Sequence, residues 1–152
     1  DDFLNSSFIK KYSLRQGMDS WQLRDGGYNS YFSFQLGKDK YSWFTVEVVT
    51  VNKNDPEIFH IGIMFHDESE PYIYPTRFTE QIKEISQYFI NSLDSTLNLK
   101  DVINYVKEQS KVQLHGIADA SRKNFGNYSF RVGTVGRDLI ISIDIINGKD
   151  KN

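Results

Sequence analysis

Cysteine is absent from the sequence, and its absence excludes several kinds of chemistry. Without a thiol the chain can form no disulfide bond, no zinc–thiolate site and no cysteine nucleophile. The compartment stays open, because a cytosolic protein and an extracytoplasmic domain without disulfides both fit this composition.

The chain also lacks an excess of positive charge and a long apolar run. Its 18 Lys and Arg residues against 20 Asp and Glu residues give a net charge of −2. A non-specific nucleic-acid binder normally has a strong basic excess, so we expect no nucleic-acid partner. No apolar run approaches the roughly 20 residues of a transmembrane helix, so we expect no membrane span within this chain.

Signatures of catalysis and of cofactor binding are missing as well. The sequence has no G-x-S-x-G motif and no His in an obvious turn beside a Ser. Gly133 and Gly136 do not form a phosphate loop, because no glycine-rich run opens a helix with a following Lys. We therefore expect no cofactor, and the sequence favours a non-enzymatic protein.

What the chain does contain is typical of a sheet-rich globular domain. Aromatic residues make up 14% of the 152 residues, which favours strands and large packed faces. This length suits one domain with a core of its own. We expect a single domain over residues 1–152, in which residues 1–15 form a leading helix or an arm and residues 147–152 a polar tail.

Two long strands, Tyr41–Val51 and Ile58–His66, give the clearest pattern. In the second strand one face is apolar, and the other carries His60, Gly62, Met64 and His66. In the first strand the alternation slips at Val48 and Val49. This slip indicates a β-bulge or a strand end that is covered on both faces.

Further strands and helices surround this pair. Two shorter strands, residues 21–24 and 28–36, precede it and are joined by an Asp-Gly turn. Apolar residues then recur at helical spacing over residues 76–93 and 99–109. Asn98 is placed to cap the second of these helices.

The last part of the chain returns to strand patterns. Residues 111–117 are a candidate for a short strand, and residues 128–132 and 139–145 alternate as a hairpin. This order predicts an α+β fold: an antiparallel sheet of a four-stranded N-terminal meander plus a C-terminal hairpin, with two helices packed on one face.

The polar face of the long strand pair is the first candidate binding surface. Tyr41 and Trp43 share this face, and we expect Tyr31 of the neighbouring strand to lie beside them. Such an aromatic face can stack on bases or sugars or cover a partner protein. Its polar and adaptable neighbours are Glu47, His60 and Met64. The alternative interpretation is ordinary cross-strand packing that stabilises the sheet.

A basic loop is the second candidate. Residues 118–127 are small, polar and basic, which indicates a loop, and they include Arg122 and Lys123. Arg137 lies at the tip of the C-terminal hairpin. Loops carry binding residues more often than cores do. The alternative is a solvated loop with no ligand.

Histidines and acidic residues are the third candidate, as a metal site, but their spacing weakens it. His60 and His66 lie on one strand, which places them roughly 20 Å apart at about 3.3 Å per residue. That separation is too large for both to bind one metal ion. We predict no metal site, with His66, Asp67 and Glu70 as weak candidates and a solvated turn as the alternative.

These observations favour a non-enzymatic binding or interaction domain. We expect it to bind a protein partner or a second copy of itself through the aromatic sheet face. The first residue is not methionine, and we therefore expect the extracytoplasmic part of an anchored or secreted bacterial protein, such as a lipoprotein with its anchor upstream. A cytoplasmic protein is the alternative localisation.

Two further hypotheses belong to other classes of function. One is a small metal-dependent hydrolase that uses His66 and nearby carboxylates. The other is a carrier that holds a small apolar ligand between the sheet and the helix containing Phe78 and Phe89. A metal ion bound near His66 would identify the first, and a large apolar cavity beneath the helix the second.

Overall fold

A computed structural model describes most of the chain. Its backbone is described over residues 6–12, 14–16, 22–24, 27–35, 42–52, 55–68 and 76–146. Its side chains are described over residues 6–12, 14, 42–50, 58–68 and 76–146. Within these residues the fold is α+β, with one mostly antiparallel sheet and three α-helices.

The helices and strands have the following bounds. The strands are β1 (Arg15–Gln16), β2 (Gln22–Arg24), β3 (Gly27–Gln35), β4 (Trp43–Asn52), β5 (Asp55–His66), β6 (Gln113–Leu114), β7 (Lys123–Phe125), β8 (Tyr128–Val135) and β9 (Asp138–Ile145). The helices are α1 (Ser7–Lys11), α2 (Glu80–Leu93) and α3 (Leu99–Gln109), with a short 3₁₀ helix at Ile117–Asp119.

All of these strands belong to one sheet. The order is β1-β3-β4-β5-β9-β8-β6, with β2 also paired to β3 and β7 to β8. Every described strand pair is antiparallel except β6 with β8. The central strand β5 lies between β4 and β9, and so joins the N-terminal strands to the C-terminal hairpin.

The core fills the space between one face of this sheet, the inner face, and the helices. Val46 lies opposite Ile63, and Ile63 opposite Ile141, so three strands present apolar side chains to the same side. They pack with the buried stripe of α2, which consists of Ile82, Ile85 and Phe89. Burial of this apolar area, at roughly 25 cal/mol per Å², is the main stabilising contribution.

Local sequence explains where the helices begin. Thr79 precedes α2, and its Oγ1 accepts a hydrogen bond from the Ile82 N–H at 3.2 Å. Asn98 precedes α3, and its Oδ1 accepts one from the Asp101 N–H at 3.3 Å. Both caps satisfy N–H groups that have no partner within the first helical turn. The prediction of Asn98 as a cap is confirmed, whereas α2 begins at Glu80 and therefore later than predicted.

A two-residue turn closes the hairpin of β8 and β9. Val135 pairs with Asp138, which leaves Gly136 and Arg137 as the turn. Gly136 has a φ of 59°, a left-handed conformation that glycine adopts without strain. The turn fixes the register of β9, and with it the side of the sheet on which each residue of β9 lies.

The sheet differs from the predicted one in its number of strands and in their arrangement. The strands β1 and β7 are additional, β6 lies within residues 111–117, the candidate for a short strand, and β9 pairs with β5 in the middle of the sheet. Residues 123–125 form β7, although the sequence predicts a loop over residues 118–127. The prediction failed here because strands of two or three residues are too short to show an alternating pattern.

The number of helices is also larger than predicted. The leading segment, for which the sequence allows a helix or an arm, contains α1, and Phe8 of this helix is fully buried in the core. The sheet therefore has three helices against it rather than two. Residues 147–152, predicted as a polar tail, lie outside the described part of the chain.

The irregular point of β4 lies close to the place where its alternation slips. The register between β4 and β5 shifts between Val49 and Thr50. Val48, Val49 and Thr50 are all buried, so this end of the strand is covered on both of its faces. Both explanations offered by the sequence, a bulge and a strand covered on two sides, therefore apply.

Candidate functional site

The face of the sheet away from α2 and α3, the outer face, carries the polar residues of the central strands. On β5 it presents His60, Gly62, Met64 and His66, as the alternation predicts. The residues opposite them on β4 are Val49, Glu47, Thr45 and Trp43. On the other side of β5, His60, Gly62 and Met64 pair with Asp144, Ser142 and Ile140 of β9, respectively. Two polar clusters thus lie on β5, one around His60 near the middle of the strand and one around His66 at its C-terminal end, with a less polar stretch between them.

A cavity of about 300 Å³ lies on the outer face, beside His60 and toward His66. Its floor consists of two small residues that face each other across β5 and β9, Gly62 and Ser142. Glu47 flanks Gly62 on one side, and Arg131 flanks Ser142 on the other. The apolar part of the lining includes Met64, Ile117 and Ile140.

Gly62 keeps the floor of this cavity open. A β-carbon added at Gly62 would lie 3.6 Å from His60 Nε2 and 3.4 Å from the Ile141 carbonyl oxygen. Both are ordinary van der Waals distances, so a larger side chain would occupy the cavity without a clash at its first carbon. The same distances place His60 Nε2 beside the floor.

Asp144 organises the end of the cavity nearest His60. Its Oδ1 accepts a hydrogen bond from His60 Nδ1 at 2.7 Å. Its Oδ2 accepts hydrogen bonds from Arg122 Nη1 at 2.9 Å and from Arg131 Nη2 at 3.3 Å. The hydrogen bond from His60 has the largest effect on the pKa of Asp144, and with the two arginines it outweighs burial and lowers that pKa to about 2. The carboxyl group is therefore ionised and acts as an acceptor.

The two ring nitrogens of His60 consequently have different roles. Because the Asp144 carboxylate can only accept, Nδ1 carries the proton in their hydrogen bond. His60 Nε2 has no hydrogen-bond partner among the described residues, and His60 lines the cavity. In a neutral ring Nε2 is then a hydrogen-bond acceptor for whatever occupies the cavity.

His66, at the C-terminal end of β5, is bound through both nitrogens. Nδ1 lies 2.5 Å from Asp138 Oδ1, and Nε2 lies 2.8 Å from Glu68 Oε1. The ring stacks on Trp43, with centroids 4.7 Å apart and an angle of 14° between the planes. Partial burial lowers the pKa of His66, but the hydrogen bonds and charges of the two carboxylates outweigh it and raise the pKa above its usual value. This environment favours the imidazolium, which donates from both nitrogens.

Two of the three weak candidates for metal ligands, His66 and Asp67, are engaged with other side chains. Both nitrogens of His66 already face carboxylates, so neither presents a lone pair to a metal ion. Asp67 Oδ1 accepts a hydrogen bond from Ser42 Oγ at 2.9 Å, and Glu70 lies outside the described residues. Within the part of the chain that the structure describes, no group of three or more His, Asp or Glu residues could hold a metal ion.

Some of the residues predicted for the aromatic face line the cavity, namely Glu47, His60 and Met64. Trp43 lies outside this lining, against His66. The backbone of Tyr31 pairs with that of Glu47, but the side chain of Tyr31 and the whole of Tyr41 lie outside the described residues. An aromatic patch formed by Tyr31, Tyr41 and Trp43 therefore stays a prediction.

The predicted basic residues are engaged with their neighbours. Arg122 donates to Asp144, which ties the loop before β7 to one end of the cavity. Lys123 Nζ lies above two aromatic rings, one from α3 and one from β7. Arg137 Nε donates to the Asp67 carbonyl oxygen at 3.1 Å. Of these three residues, Arg122 alone shares a partner with a residue of the cavity lining.

Sequence reasoning missed the residues that β8, β9 and the 3₁₀ helix contribute. They are Ile117, Arg131, Ile140, Ser142 and Asp144. The alternation of Ser142 and Asp144 with isoleucines does indicate a polar face on β9. It does not indicate that this face adjoins that of β5, because the two strands are distant in sequence.

Comparison with protein-family models, with curated proteins and with solved structures finds no match for this chain. No function is therefore carried over from a relative. The function of the protein has to be inferred from the cavity, the oriented histidine and the ion-paired carboxylate beside it.

Proposed function

We propose that the protein is a non-enzymatic binding domain that holds a small, largely apolar molecule in the outer-face cavity. The observation that supports this proposal is the cavity itself, with a volume of about 300 Å³, apolar walls and a few fixed polar groups. Small-molecule sites in proteins have this make-up, and their volumes are typically about 300–1,000 Å³.

The volume sets the size of the ligand. An apolar cavity of about 150 Å³ is sufficient for benzene. A cavity of about 300 Å³ therefore has room for a ring with substituents. Contact of such a ring with Met64, Ile117 and Ile140 would remove apolar surface from water, at roughly 25 cal/mol per Å².

The described part of the outer face favours a small molecule over a protein partner. A surface that docks a protein commonly exposes a contiguous apolar patch. The large apolar side chains that are exposed in the described residues are Tyr88 and Val112, and neither lines the cavity. The protein partner and the self-association expected for the aromatic face remain predictions that rank below a ligand in the cavity.

The space between the sheet and α2, where the carrier hypothesis places a ligand, is occupied by side chains. Ile85 and Phe89 of α2 belong to the same buried cluster as Phe44 and Ile63 of the sheet. A ligand at this position would have to displace closely packed groups. The outer-face cavity requires no such displacement.

Binding can be measured at the Met64 methyl group, which lines the cavity. Labelling the methionine methyl groups with carbon-13 gives a simple spectrum, because the chain has 2 methionines. We expect the Met64 signal to shift during titration with indole, p-xylene and 4-methylphenol, with saturation at about millimolar concentration.

A matched pair of variants controls this experiment. Gly62→Val fills the floor of the cavity and should abolish the shift. Gly116→Val adds the same atoms at a site where a new β-carbon meets nothing within 4 Å, and it should bind like the wild type. If none of the three compounds shifts the Met64 signal of the wild type, the proposal is wrong.

An extracytoplasmic, anchored protein remains our proposal for the localisation, and it is compatible with a chain without cysteine. No helix in the described ranges is both long enough and apolar enough to cross a membrane. Fractionation of cells that make the native protein tests the proposal. Recovery with the membrane or in the medium supports it, and recovery in the cytosol contradicts it.

A further inference from the structure

We infer that the ligand of the outer-face cavity carries a neutral head group that both donates and accepts a hydrogen bond, such as a hydroxyl or a carboxamide, on an apolar body. This inference rests on the proposed function and names the chemical class of molecule that the cavity takes. The residues that select the head group are His60, which accepts a hydrogen bond, and Arg131, which donates one.

Asp144 determines which nitrogen of His60 is the acceptor. One carboxylate oxygen binds His60 Nδ1 at 2.7 Å, and the other is held by two arginines, so the group stays an ionised acceptor. Nδ1 must then donate, which leaves Nε2, beside the cavity floor, as the nitrogen that accepts when the ring carries one proton. A ligand without a donor would bury this acceptor unpaired, which weakens binding.

Arg131 supplies the complementary donor at the same end of the cavity. It lines the cavity, its side chain is 17% exposed, and its Nη2 lies 3.3 Å from Asp144. A guanidinium group has five N–H donors, so this one bond leaves donors for an acceptor atom of the ligand. His60 and Arg131 bind different oxygens of one carboxylate, and both residues line the cavity.

The charges around the floor favour a neutral head group. The charge of Arg131 is already balanced by Asp144, so an anionic ligand gains little from it. An ionised head group would also lose hydration in a lining that is largely apolar.

The apolar body of the ligand belongs at the opposite end. Met64 and Ile140 face each other across β5 and β9 at that end, and Ile117 of the 3₁₀ helix completes the apolar lining. A head group held by His60 and Arg131 therefore directs the rest of the molecule toward these three side chains.

Three probe molecules of similar size distinguish a ligand that donates a hydrogen bond from one that only accepts. 4-Methylphenol donates and accepts, 4-methylanisole accepts only, and p-xylene does neither. Titration of each against the Met64 methyl signal gives their dissociation constants. We expect 4-methylphenol to bind about threefold to tenfold more tightly than 4-methylanisole, as one added hydrogen bond implies, and p-xylene to bind most weakly.

Two variants of His60 assign this preference to Nε2. Asn is shorter than His and places its amide nitrogen near the position of Nδ1, so His60→Asn can keep the hydrogen bond to Asp144 while it removes the acceptor. Gln reaches the position of Nε2, so His60→Gln can restore an acceptor there. We expect 4-methylphenol to lose its advantage over 4-methylanisole in His60→Asn and to keep part of it in His60→Gln.

The possible results separate this inference from the proposed function. A preference for 4-methylphenol that disappears in His60→Asn supports the inference. Equal affinity for the three probes, or a preference that persists in His60→Asn, overturns the inference and leaves the cavity as a binding site. If no probe shifts the Met64 signal, the proposed function and the inference both fail.

Discussion

His60 and His66 lie on the same face of the same strand, yet their surroundings differ. Each is bound to a carboxylate of β9, His60 to Asp144 and His66 to Asp138. His66 has a second carboxylate, that of Glu68, against its other nitrogen and the Trp43 ring against its face. The other nitrogen of His60 lies instead at the floor of a cavity.

This difference shows that the second nitrogen determines what a histidine does in this sheet. Carboxylates at both nitrogens of a ring favour its cationic form, and such a ring stabilises the sheet. A ring with one nitrogen bound is oriented, and its remaining nitrogen is available to a ligand. Both rings link β5 to β9, but only His60 has a group left for binding.

The largest loss of stability is expected from replacing Asp144, the residue whose carboxylate orients His60. Asp144→Asn deprives three donors of an ionised acceptor and leaves Arg131, which is 17% exposed, with an unbalanced charge. We expect unfolding in urea at neutral pH to show a loss of about 2–3 kcal/mol. The control is Asp119→Asn on the exposed 3₁₀ helix, which should change stability by less than about 0.5 kcal/mol. Equal losses in both variants would show that Asp144 does not anchor this end of the sheet.

The pH dependence of this contribution has a definite sign. The pKa of Asp144 is lowered from 3.8 to about 2, so its stabilising effect is complete above the unfolded value and is lost as the pH falls through the folded value. The difference in stability between wild type and Asp144→Asn should therefore shrink by roughly 1–2 kcal/mol between about pH 4 and pH 2, allowing for solvent screening. Urea unfolding at a series of acidic pH values measures it. A difference that already vanishes at about pH 5 would contradict the lowered pKa.

The stabilising effect of His66 is expected to depend on pH in the opposite direction. Its pKa is raised, so its stabilising effect is complete below the unfolded value and is lost as the pH rises through the folded value. His66→Gln should cost roughly 1 kcal/mol at about pH 6, and less at about pH 9. Urea unfolding at both pH values measures the change.

A third histidine provides the control for this prediction. His115 is exposed, and His115→Gln should change stability by less than about 0.5 kcal/mol. Fluorescence of Trp43, which stacks on His66, should follow the same titration in wild type and lose it in His66→Gln. A difference that grows between about pH 6 and pH 9 would contradict the raised pKa.

The smallest expected change in stability is that of replacing each histidine by asparagine, and this pair of variants compares His60 and His66 directly. His60→Asn can keep its one hydrogen bond to β9 and should lose no more than about 0.5 kcal/mol. His66→Asn cannot satisfy two carboxylates and should lose about 1 kcal/mol at slightly acidic pH. Urea unfolding of the two variants under one set of conditions compares them. Equal losses would mean that the second nitrogen of His66 contributes nothing.

Much of the outer face could be predicted from alternation alone. A strand has a period of two, so the sequence places His60, Gly62 and Met64 together without knowledge of the fold. The same rule separates them from Ile61 and Ile63, which are buried on the inner face. Helix caps such as Asn98 are equally local, and that prediction is confirmed.

The rest of the site could not be predicted, because it depends on which strands are neighbours. Asp144 meets His60 because β9 pairs with β5 in one particular register. Alternation within either strand is compatible with many registers and with other neighbours. Glu68, a partner of His66, is two residues away in sequence and could have been predicted. Asp138, the partner in β9, could not.

The position of β9 beside β5 also has a consequence for synthesis on the ribosome. Ile61 of β5 pairs with Ile143 of β9, so roughly 80 residues have to be synthesised after β5 before this pair can form. At 5–20 residues per second this takes about 4–16 s. Throughout this interval β5 is the open edge of a nascent sheet, with unpaired backbone groups and apolar side chains such as Ile63 and Phe65. Such an edge readily pairs with other chains. We therefore expect early docking of α2 against the inner face to cover these apolar side chains until the last hairpin is synthesised.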